Sequence, residues 1–368
     1  MRLIYDLRYA TDHFPGIGTH ARALAGALLE RGRVDSVTLL WDPSARNTRF
    51  DLEPLRRHPR ARWLDVDVPA LATGTAHGTG RILARLPADV FLSPFWLRPE
   101  GARIPCVLTV HDVLPLALPR LTNLPKRWAY AWAMRRAAGA AAVLTSSRFS
   151  RDEILRRTRI PAERLHVIPL GIARVEATPE RPAGAPPGPF ALTVGANRPH
   201  KGLETLARVW RGFAGSPPLA LVGAGANAPG RFSLAQLSRE VNGVHALGYV
   251  PPAELEWLYR NATLVLVPSR YEGFGLPLLE AAARGAPVVA SDIPALREIG
   301  EGVARFVASD DASAWARAIR ELSGDDPARE RMRADGIARA AEYDYDRCAG
   351  RVEGVLVKLG QTTQGAAA

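Results

Sequence analysis

The chain has 368 residues, of which 47% are hydrophobic and 23% are charged. This composition is ordinary for globular proteins and excludes a fibrous or disordered chain, and the length suffices for about two domains. The net charge of +11 predicts an anionic partner, either a nucleotide, a membrane surface or a nucleic acid, although the sequence contains no nucleic-acid-binding motif.

The cysteines and the N-terminal residues further limit the classes of protein to which the chain could belong. Cys106 and Cys348 form no CxxC arrangement, so we expect neither a disulfide framework nor a zinc site. Charges interrupt the segment 1–7, and no apolar run reaches the roughly 18 residues that a membrane span needs. We therefore expect a cytoplasmic protein.

Apolar strands and amphipathic helices alternate through the first half of the chain, which predicts a parallel sheet with helices around it. The predicted strands are residues 3–6, 37–40, 62–68, 89–92 and 105–110, followed by a strand-turn-helix pattern at 142–150 and a last strand at 165–171. Asp65 and Asp67 have the spacing of a metal-binding DxD motif. We interpret them as alternating strand residues, because they lack the loop context that a divalent-ion site needs.

Two features of this first half are candidate ligand contacts. Gly16 and Gly18 lie in a predicted loop after the first strand, where a lone GxG pattern is also typical of a flexible turn. His111 follows the strand at 105–110, and the C-terminal end of a parallel strand is where such sheets bind ligands. A helix or loop cap is the alternative interpretation of His111.

The second half repeats the strand-helix alternation after the segment 173–189, which is rich in Pro, Gly, Ala and Glu and is predicted to be a linker. Strands are predicted at residues 190–195, 218–223, 244–250, 262–267 and 288–292, with a glycine turn at Ala224 and Gly225. Arg198 and Lys201 precede a predicted helix and would place positive charge where a diphosphate could bind. Solvated loop charges are the alternative.

The stretch 268–280 reads as one change from strand to helix. Gly273 and Gly275 remove Cβ atoms and let main-chain N–H groups approach a ligand at the positive end of the helix. Two carboxylates bracket this anion seat, Glu272 before the helix and Glu280 about one turn inside it. Acids in these positions suit a ligand that carries hydroxyl groups.

The spacing of Glu272 and Glu280, with Gly-Phe-Gly between them, resembles the signature of the retaining glycosyltransferase family 4. The resemblance covers nearly the whole chain and implies the GT-B fold, in which two Rossmann-like α/β domains with parallel sheets face each other across a cleft. It implies an acceptor-binding domain at 1–172, the linker at 173–189, a nucleotide-sugar-binding domain at 190–342, and a closing helix with a frayed tail at 343–368 that returns toward the first domain.

The resemblance also implies a role for each candidate residue. The catalytic candidates are Glu272 beside the sugar ring and diphosphate, His111 on the transferred sugar, and Arg198 and Lys201 on the diphosphate. The remaining donor-binding candidates are Gly16, Gly18, Val250, Gly273, Phe274, Gly275, Leu276 and Glu280, of which Glu280 would hold the ribose hydroxyls. No cofactor and no metal site are expected.

The same resemblance implies retaining transfer of a hexose from a nucleoside-diphosphate sugar to a glycan or lipid-linked acceptor. The turns at 111–115 and 291–296 are similar to the mannosyltransferase branch, which favours GDP-mannose over a UDP-sugar. Two alternatives stay open: a nucleotide-sugar epimerase or hydrolase of the same architecture, and a catalytically inactive nucleotide-binding scaffold.

A predicted helix at 125–136 places Trp128 and Trp132 on one stripe, with basic residues at both ends. Aromatic anchors with basic flanks are typical of a helix on an anionic membrane surface, which would make the protein peripheral on the inner face of a membrane. The alternative is a helix that buries both tryptophans in the core of the first domain.

Overall fold

The computed structural model describes residues 1–173, 178–212, 217–223 and 234–365. The predicted glycine turn at Ala224 and Gly225 lies outside these residues. The strands are β1 Arg2–Asp6, β2 Ser36–Trp41, β3 Ala61–Asp65, β4 Val90–Ser93, β5 Cys106–Thr109, β6 Ala142–Thr145, β7 Leu165–Val167, β8 Ala191–Val194, β9 Leu219–Val222, β10 Val244–Gly248, β11 Leu264–Val267, β12 Val288–Ser291 and β13 Ala304–Val307.

The helices alternate with these strands. They are α1 Pro15–Arg31, α2 Glu53–Arg57, α3 Thr75–Leu83, α4 Leu114–Ala117, α5 Leu124–Ala137, α6 Arg148–Arg157, α7 Leu203–Gly212, α8 Leu234–Glu240, α9 Pro252–Asn261, α10 Leu276–Ala283, α11 Pro294–Gly300, α12 Ala312–Ser323, α13 Asp326–Ala340 and α14 Tyr345–Gly365. Short 3-10 turns lie at Leu7–Tyr9, Pro119–Leu121, Ala162–Arg164 and Pro199–Lys201.

The chain divides into two compact units: unit 1 comprises Met1–Ala173 and Tyr343–Ala368, and unit 2 comprises Arg174–Glu342. The sheet of unit 1 has the order β3-β2-β1-β4-β5-β6-β7, and that of unit 2 has the order β10-β9-β8-β11-β12-β13. All the strand pairs are parallel. Each order reverses once, at β1/β4 and at β8/β11, as in a doubly wound sheet.

Unit 1 buries both faces of its sheet. Leu3 and Tyr5 face a core that α1 and α14 complete, whereas Ile4 points to the opposite core with residues of α5 and α6. Because successive side chains of a strand alternate between faces, a strand buried on both sides needs a continuous apolar run, which is the signal in the sequence. α14 packs on α1, where Arg31 Nε donates to Glu353 Oε2 at 2.8 Å.

Unit 2 repeats this layering with different helices. On one face, α7, α8 and α12 cover the sheet, and the core there includes Trp210, Leu266 and Trp315. The edge strand β13 has the burial pattern of a half-exposed strand and includes Arg305. It was not predicted, because an edge strand that is open to solvent lacks the continuous apolar run of the central strands.

One predicted segment differs in the structure. The predicted loop at residues 15–18 is the first turn of α1, since Pro15 occupies a position that favours a helix start. The described part of the predicted linker, 178–189, contains no helix or strand but lies against α9: the Glu180 N–H donates to the Ala253 carbonyl at 3.2 Å, and the Arg181 guanidinium lies 5.5 Å from the Trp257 ring.

Candidate functional site

The strand reversal in unit 2 brings two distant loops together. β8 and β11 are neighbours in the sheet, although the residues that follow them are about seventy positions apart in the chain. The turn after β8 carries Lys201, and the loop after β11 carries Glu272. Open α/β sheets bind their ligands at the carboxyl ends of the strands where the order reverses, so these loops are in the expected place.

Lys201 and Glu272 form an ion pair at this point. The Lys201 Nζ donates to Glu272 Oε1 at 2.7 Å, and Ser269 Oγ donates to the same oxygen at 2.7 Å. Both bonds therefore go to Oε1, and no partner of Glu272 Oε2 is found among the described residues. The side chains are 20% and 10% exposed, so the pair is largely withdrawn from bulk water while one edge stays accessible. Sequence reasoning missed Ser269 as the residue that orients Glu272.

Two glycines are required in these loops. Gly202 has a φ of +66°, and a Cβ atom there would lie 1.9 Å from the Pro268 carbonyl oxygen, so the turn after β8 touches the end of β11 with its backbone. Any other residue at position 202 would push these two turns apart. Gly275 has a φ of +109° and is the N-cap of α10, where a Cβ would lie 2.5 Å from the Leu296 side chain.

The helix α10 begins directly after the loop that carries Glu272, with Gly275 as its N-cap and Pro277 in its first turn. Pro277 has no N–H, and the Leu278 N–H donates to the Gly275 carbonyl at 3.0 Å. The N-terminal end of a helix carries partial positive charge. Phe274 is 5% exposed and anchors the approach to the helix, whereas Gly273 and Leu276 are half-buried. The N-terminal end of α10 and Lys201 thus lie on the two loops where the sequence predicts an anion seat.

Glu280 lies on the second turn of α10 and has a different partner. The Tyr259 O–H of α9 donates to Glu280 Oε2 at 2.9 Å. Burial, followed by the Glu280 charge, raises the pKa of Tyr259 well above its usual value, so the phenol stays protonated and remains a donor. Tyr259 was not identified from the sequence, where it is indistinguishable from a core aromatic residue.

The other predicted residues of unit 2 occupy separate positions. Arg198 is exposed and precedes the 3-10 turn, and its carbonyl accepts a bond from the Lys201 N–H at 2.9 Å. Val250 is buried directly after β10. Burial, followed by the Lys201 charge, lowers the pKa of His200 to about 4, so this neighbour of Lys201 is neutral at pH 7.

In unit 1, His111 lies just beyond the end of β5 and is held by both flanking helices. Ser150 Oγ of α6 donates to the His111 carbonyl at 3.0 Å, and the Tyr130 O–H of α5 donates to the Asp112 carbonyl at 2.7 Å. Ser147, the N-cap of α6, accepts from the Ser150 N–H at 2.9 Å. The turn is therefore tied to both helices.

The imidazole of His111 is neutral and has a defined tautomer. Burial lowers its pKa to about 4. Its Nε2 lies 3.0 Å from the Pro94 carbonyl oxygen, and because a carbonyl can only accept, Nε2 carries the proton and Nδ1 is an acceptor. The side chain can therefore accept a hydrogen bond from a hydroxyl group, but it does not supply a positive charge.

Two residues that were not predicted from the sequence lie behind His111: His20 contacts it, and Tyr345 contacts His20. The His20 ring of α1 stands perpendicular to the His111 ring with centroids 5.3 Å apart, and its Nδ1 lies 3.4 Å from the Tyr345 hydroxyl of α14. Burial and the neighbouring His111 lower the pKa of His20 well below its usual value. A neutral aromatic layer thus backs His111.

The glycines of α1 have structural roles. A Cβ at Gly18 would lie 2.6 Å from the Phe50 ring, and the Gly18 N–H already donates to the Phe14 carbonyl at 2.6 Å. Gly16 is exposed and has no other atom within 4 Å of a Cβ placed there. Of the two, only Gly16 keeps its surroundings open to a ligand.

A cavity of about 570 Å³ lies at the carboxyl ends of β1, β2 and β3 in unit 1. Its lining includes Phe14 and the carboxylates of Asp12 and Asp42, and Arg46 reaches Asp12 at 3.4 Å. Asp42 is 6% exposed, and its Oδ1 accepts bonds from the N–H and hydroxyl of Ser44. The cavity thus combines an aromatic wall with acceptors for hydroxyl groups.

The tryptophans of α5 lie on the surface. Trp128 is 70% exposed, Trp132 is 53% exposed and Leu124 is 62% exposed, so the interpretation that places both tryptophans in the core is wrong. Arg136 lies over the Trp132 ring at 4.8 Å.

Among the described residues, no helix has the length and apolar character of a membrane span. The described chain likewise contains no group of three or more metal-type side chains.

Comparisons with known proteins identify the family of the chain. A profile described as "Glycosyltransferase Family 4" matches residues 15–174, and one described as "Glycosyl transferases group 1" matches residues 176–339. An O-antigen chain mannosyltransferase B of Escherichia coli is 31% identical over 57% of this chain and 58% of that protein. The O-antigen chain mannosyltransferase RfbU of Salmonella typhimurium is 28% identical over 65% of both chains.

A D-inositol 3-phosphate glycosyltransferase of Xylanimonas cellulosilytica is 27% identical over 69% of this chain and 66% of that protein. The aligned part thus spans 58% to 66% of the length of these three relatives.

Solved structures share the fold at low sequence identity. HepE of Anabaena in complex with UDP-glucose has a TM-score of 0.73 and 18% identity, covering 97% of this chain and all of that one. WaaG, a glycosyltransferase involved in lipopolysaccharide biosynthesis, has a TM-score of 0.71 and 16% identity over 96% of this chain and 99% of its own. The predicted fold class, GT-B with two parallel α/β units, is confirmed.

Proposed function

Because the chain belongs to glycosyltransferase family 4, we propose that it transfers a hexose, with mannose favoured, from a nucleoside-diphosphate sugar to a glycan or lipid-linked acceptor. The observation that carries this proposal is the Lys201–Glu272 pair at the strand reversal of unit 2, next to the N-terminus of α10. A lysine and a helix N-terminus converge there, and both favour an anionic leaving group.

Each residue receives a role that its contacts support. Lys201 has three N–H donors, of which one bonds Glu272 Oε1, so the others can meet the diphosphate. Arg198 adds exposed positive charge to the same turn. Glu272 Oε2 faces the donor sugar and stabilises positive charge at the anomeric carbon, and Glu280, held by Tyr259, accepts from the ribose hydroxyls.

The reaction retains the anomeric configuration and needs no metal. The bond between the anomeric carbon and the phosphate oxygen breaks, an acceptor oxygen bonds the same face, and the leaving phosphate takes the acceptor's proton. His111 Nδ1 accepts from a hydroxyl of the transferred sugar and positions it. The positive charge that the diphosphate requires comes from Lys201, Arg198 and α10.

Two measurements test the function. The protein is screened for thermal stabilisation by GDP, UDP and ADP, where a ligand at a hundred times its dissociation constant adds about 2.7 kcal/mol. Transfer is then assayed with GDP-mannose and UDP-glucose against a panel of glycan acceptors. We expect stabilisation by GDP and sugar transfer from GDP-mannose. Free sugar without transfer would support a hydrolase, and nucleotide binding without turnover would support an inactive scaffold.

The stereochemical and metal proposals have their own test. We expect activity to persist in EDTA and the product to keep the donor's α configuration, as determined by NMR of the anomeric proton. Loss of activity in EDTA that returns with Mn²⁺, or an inverted product, would contradict this mechanism.

We place the acceptor in unit 1, at the cavity beside β1, β2 and β3. Asp12 and Asp42 provide acceptors for hydroxyl groups, and Phe14 provides an apolar face of the kind that lies against the C–H groups of a sugar ring. The buried Arg8 is neutralised by Asp6 at 2.8 Å, so the cavity offers little net positive charge. This supports a neutral sugar as the part of the acceptor that is bound here.

The exposed stripe of Leu124, Trp128 and Trp132 supports a further proposal, that α5 lies on an anionic membrane surface. The stripe is flanked by the basic residues Lys126, Arg127, Arg135 and Arg136. Tryptophan inserts at the boundary of headgroups and acyl chains, and each basic residue near an anionic surface adds about 1 kcal/mol at best. A lipid-linked acceptor would be presented at such a surface.

Flotation with liposomes tests the membrane proposal. We expect the protein to float with anionic vesicles and to be recovered much less with neutral ones. Trp128→Ser with Trp132→Ser should abolish flotation, whereas Trp257→Phe, a control in unit 2, should not. Equal recovery with neutral and anionic vesicles would remove the electrostatic part of the proposal.

A further inference from the structure

Arg270 joins the two loops that meet at the strand reversal of unit 2. Its backbone N–H donates to the His200 carbonyl at 2.7 Å, and its Nη1 donates to the Pro199 carbonyl at 3.1 Å. Both carbonyls belong to the 3-10 turn Pro199–Lys201. A residue of the β11 loop therefore binds the backbone of the turn that carries Lys201.

The guanidinium is itself fixed from the other side. Its Nη1 also bonds Glu204 Oε2 at 3.1 Å, and its Nε bonds Asp310 Oδ1 at 2.7 Å. Glu204 lies in the first turn of α7, and Asp310 precedes α12. Burial acts to lower the pKa of Arg270, but the bond to Asp310 and the two carboxylate charges outweigh it, so the net shift is upward. The planar guanidinium group, which is always charged, is thus held by three separate segments.

The position of Lys201 depends on this attachment because the turn is short. Only three residues separate Arg198 from Gly202, and Gly202 already lies in backbone contact with Pro268. The Lys201 side chain has four flexible methylene groups, and its described polar contact is with Glu272. A shift of the turn would therefore move Nζ relative to a ligand, even with the ion pair intact.

We propose that Arg270 is a positioning residue for Lys201, which clamps the 3-10 turn against the end of β11 so that the ammonium group meets the leaving diphosphate. The inference rests on the function proposed for Lys201. The pairs of Arg270 with Glu204 and Asp310 are partly exposed, and such pairs usually contribute little to stability. The bond from Arg270 to the turn is the contact that fixes Lys201 and therefore matters for turnover.

Substitutions of Arg270 separate this role from a stabilising one. Arg270→Gln removes the guanidinium group and with it the bond from Nη1 to the turn, so Lys201 can shift. A misplacement of about 1 Å at a reacting group can cost about 100-fold in rate. We expect kcat to fall 10- to 100-fold while the donor KM changes by less than about threefold. Arg270→Lys should recover only part of the rate, because an ammonium cannot bond a carbonyl and two carboxylates in one plane. Arg305→Gln, which removes the Arg305–Glu321 contact of 3.5 Å in the same unit, is the matched control and should leave kcat unchanged.

A double-mutant cycle shows whether Arg270 acts through Lys201. If it does, Arg270→Gln lowers kcat in the wild-type background but has no further effect in Lys201→Ala. Two reductions that multiply would overturn the proposal. Should Lys201→Ala itself keep a normal kcat, the leaving-group role would fail, which is a different result from an uncoupled pair.

Hydrogen exchange provides a test that does not require turnover. The Lys201 N–H bonds the Arg198 carbonyl at 2.9 Å, and the Gly202 N–H bonds the Pro199 carbonyl at 3.3 Å. Both amides should exchange at least tenfold faster in Arg270→Gln than in wild type or Arg305→Gln. Unchanged exchange at these two amides would contradict the clamp even if the protein transferred no sugar.

Discussion

The turn after β5 in unit 1 and the paired turns after β8 and β11 in unit 2 all follow carboxyl ends of parallel strands, but they carry opposite chemistry. In unit 1 the turn lies one strand beyond the strand reversal, whereas in unit 2 the two turns lie at the reversal itself. In unit 1, His111 is neutral, with a pKa lowered to about 4, and bonds a backbone carbonyl. In unit 2, Lys201 and Glu272 are both ionic and bond each other at 2.7 Å. The carboxyl edge of the sheet thus provides a neutral hydrogen-bond acceptor in one unit and fixed charges in the other.

This difference agrees with what each half of a sugar donor requires. Breaking the bond to a diphosphate builds up negative charge that fixed cations stabilise. The hydroxyls of a sugar need acceptors and donors of hydrogen bonds, and a buried charge next to them would have to be desolvated. We infer that unit 2 acts on charge and that unit 1 acts on orientation, and the following predictions test that division.

The largest effect is expected for Lys201→Ala. If the ammonium meets charge that grows as the sugar bond breaks, its loss removes about 2.7–4 kcal/mol of transition-state stabilisation, or roughly 10² to 10³ in kcat. Donor binding should weaken much less. Steady-state kinetics and nucleotide titration on the folded variant measure both quantities, with Arg305→Ala as the control. A near-normal kcat would remove the leaving-group role.

A smaller and different effect is expected for Glu280→Ala. In its proposed role Glu280 would bind the ribose hydroxyls already in the ground state. Its loss should therefore raise the donor KM, by roughly 10-fold or more for a hydrogen bond to a charged group, and leave kcat nearly unchanged. Tyr259→Phe removes the phenol that holds Glu280 at 2.9 Å and should shift KM in the same direction by a smaller factor. A fall in kcat equal to the rise in KM would contradict the assignment to ribose.

Asp42→Asn tests whether unit 1 holds the acceptor. The amide keeps an oxygen that can accept from Ser44 but removes the charge, and charged hydrogen bonds exceed neutral ones by about 1 kcal/mol. We expect the acceptor KM to rise roughly fivefold and the donor KM to stay constant. Asp152→Asn, an exposed acid of α6, is the control. An unchanged acceptor KM would place the acceptor elsewhere.

The last prediction concerns the free energy of unfolding, which we expect to change little above pH 6.5. His20, His111 and His200 have folded-state pKa values lowered by burial, in the last two cases to about 4. Between about 6.5 and 4 the unfolded chain therefore binds more protons than the folded one, and the free energy of unfolding falls as the pH falls through that window. Thermal unfolding at pH 7.5, 6.5, 5.5 and 4.5 should show this loss, and His111→Gln should lose less. A midpoint that rises on acidification would contradict the neutral state of these rings.

The central strands, the glycines of the 268–280 stretch and the two carboxylates were predictable from the sequence alone. Their signals are local, since continuous apolar runs mark strands buried on both faces, and Gly and Pro mark the turns between them. The edge strand β13 gave no such signal because it is half-exposed. The prediction of a loop for the GxG segment was wrong, because residues 15–18 are helical. Gly18 is needed there because a Cβ atom would clash with the Phe50 ring.

The pairings were decided by the tertiary structure. Lys201 meets Glu272, Tyr259 meets Glu280, and Arg270 binds the Pro199–Lys201 turn, because strand order and helix packing bring together residues that are 71, 21 and 71 positions apart. Helical spacing places Trp128 and Trp132 on one face of α5 but does not determine whether that face packs on the sheet. Only the structure shows that both side chains are exposed. Contacts between distant segments depend on packing, and packing is not encoded in any single stretch of the chain.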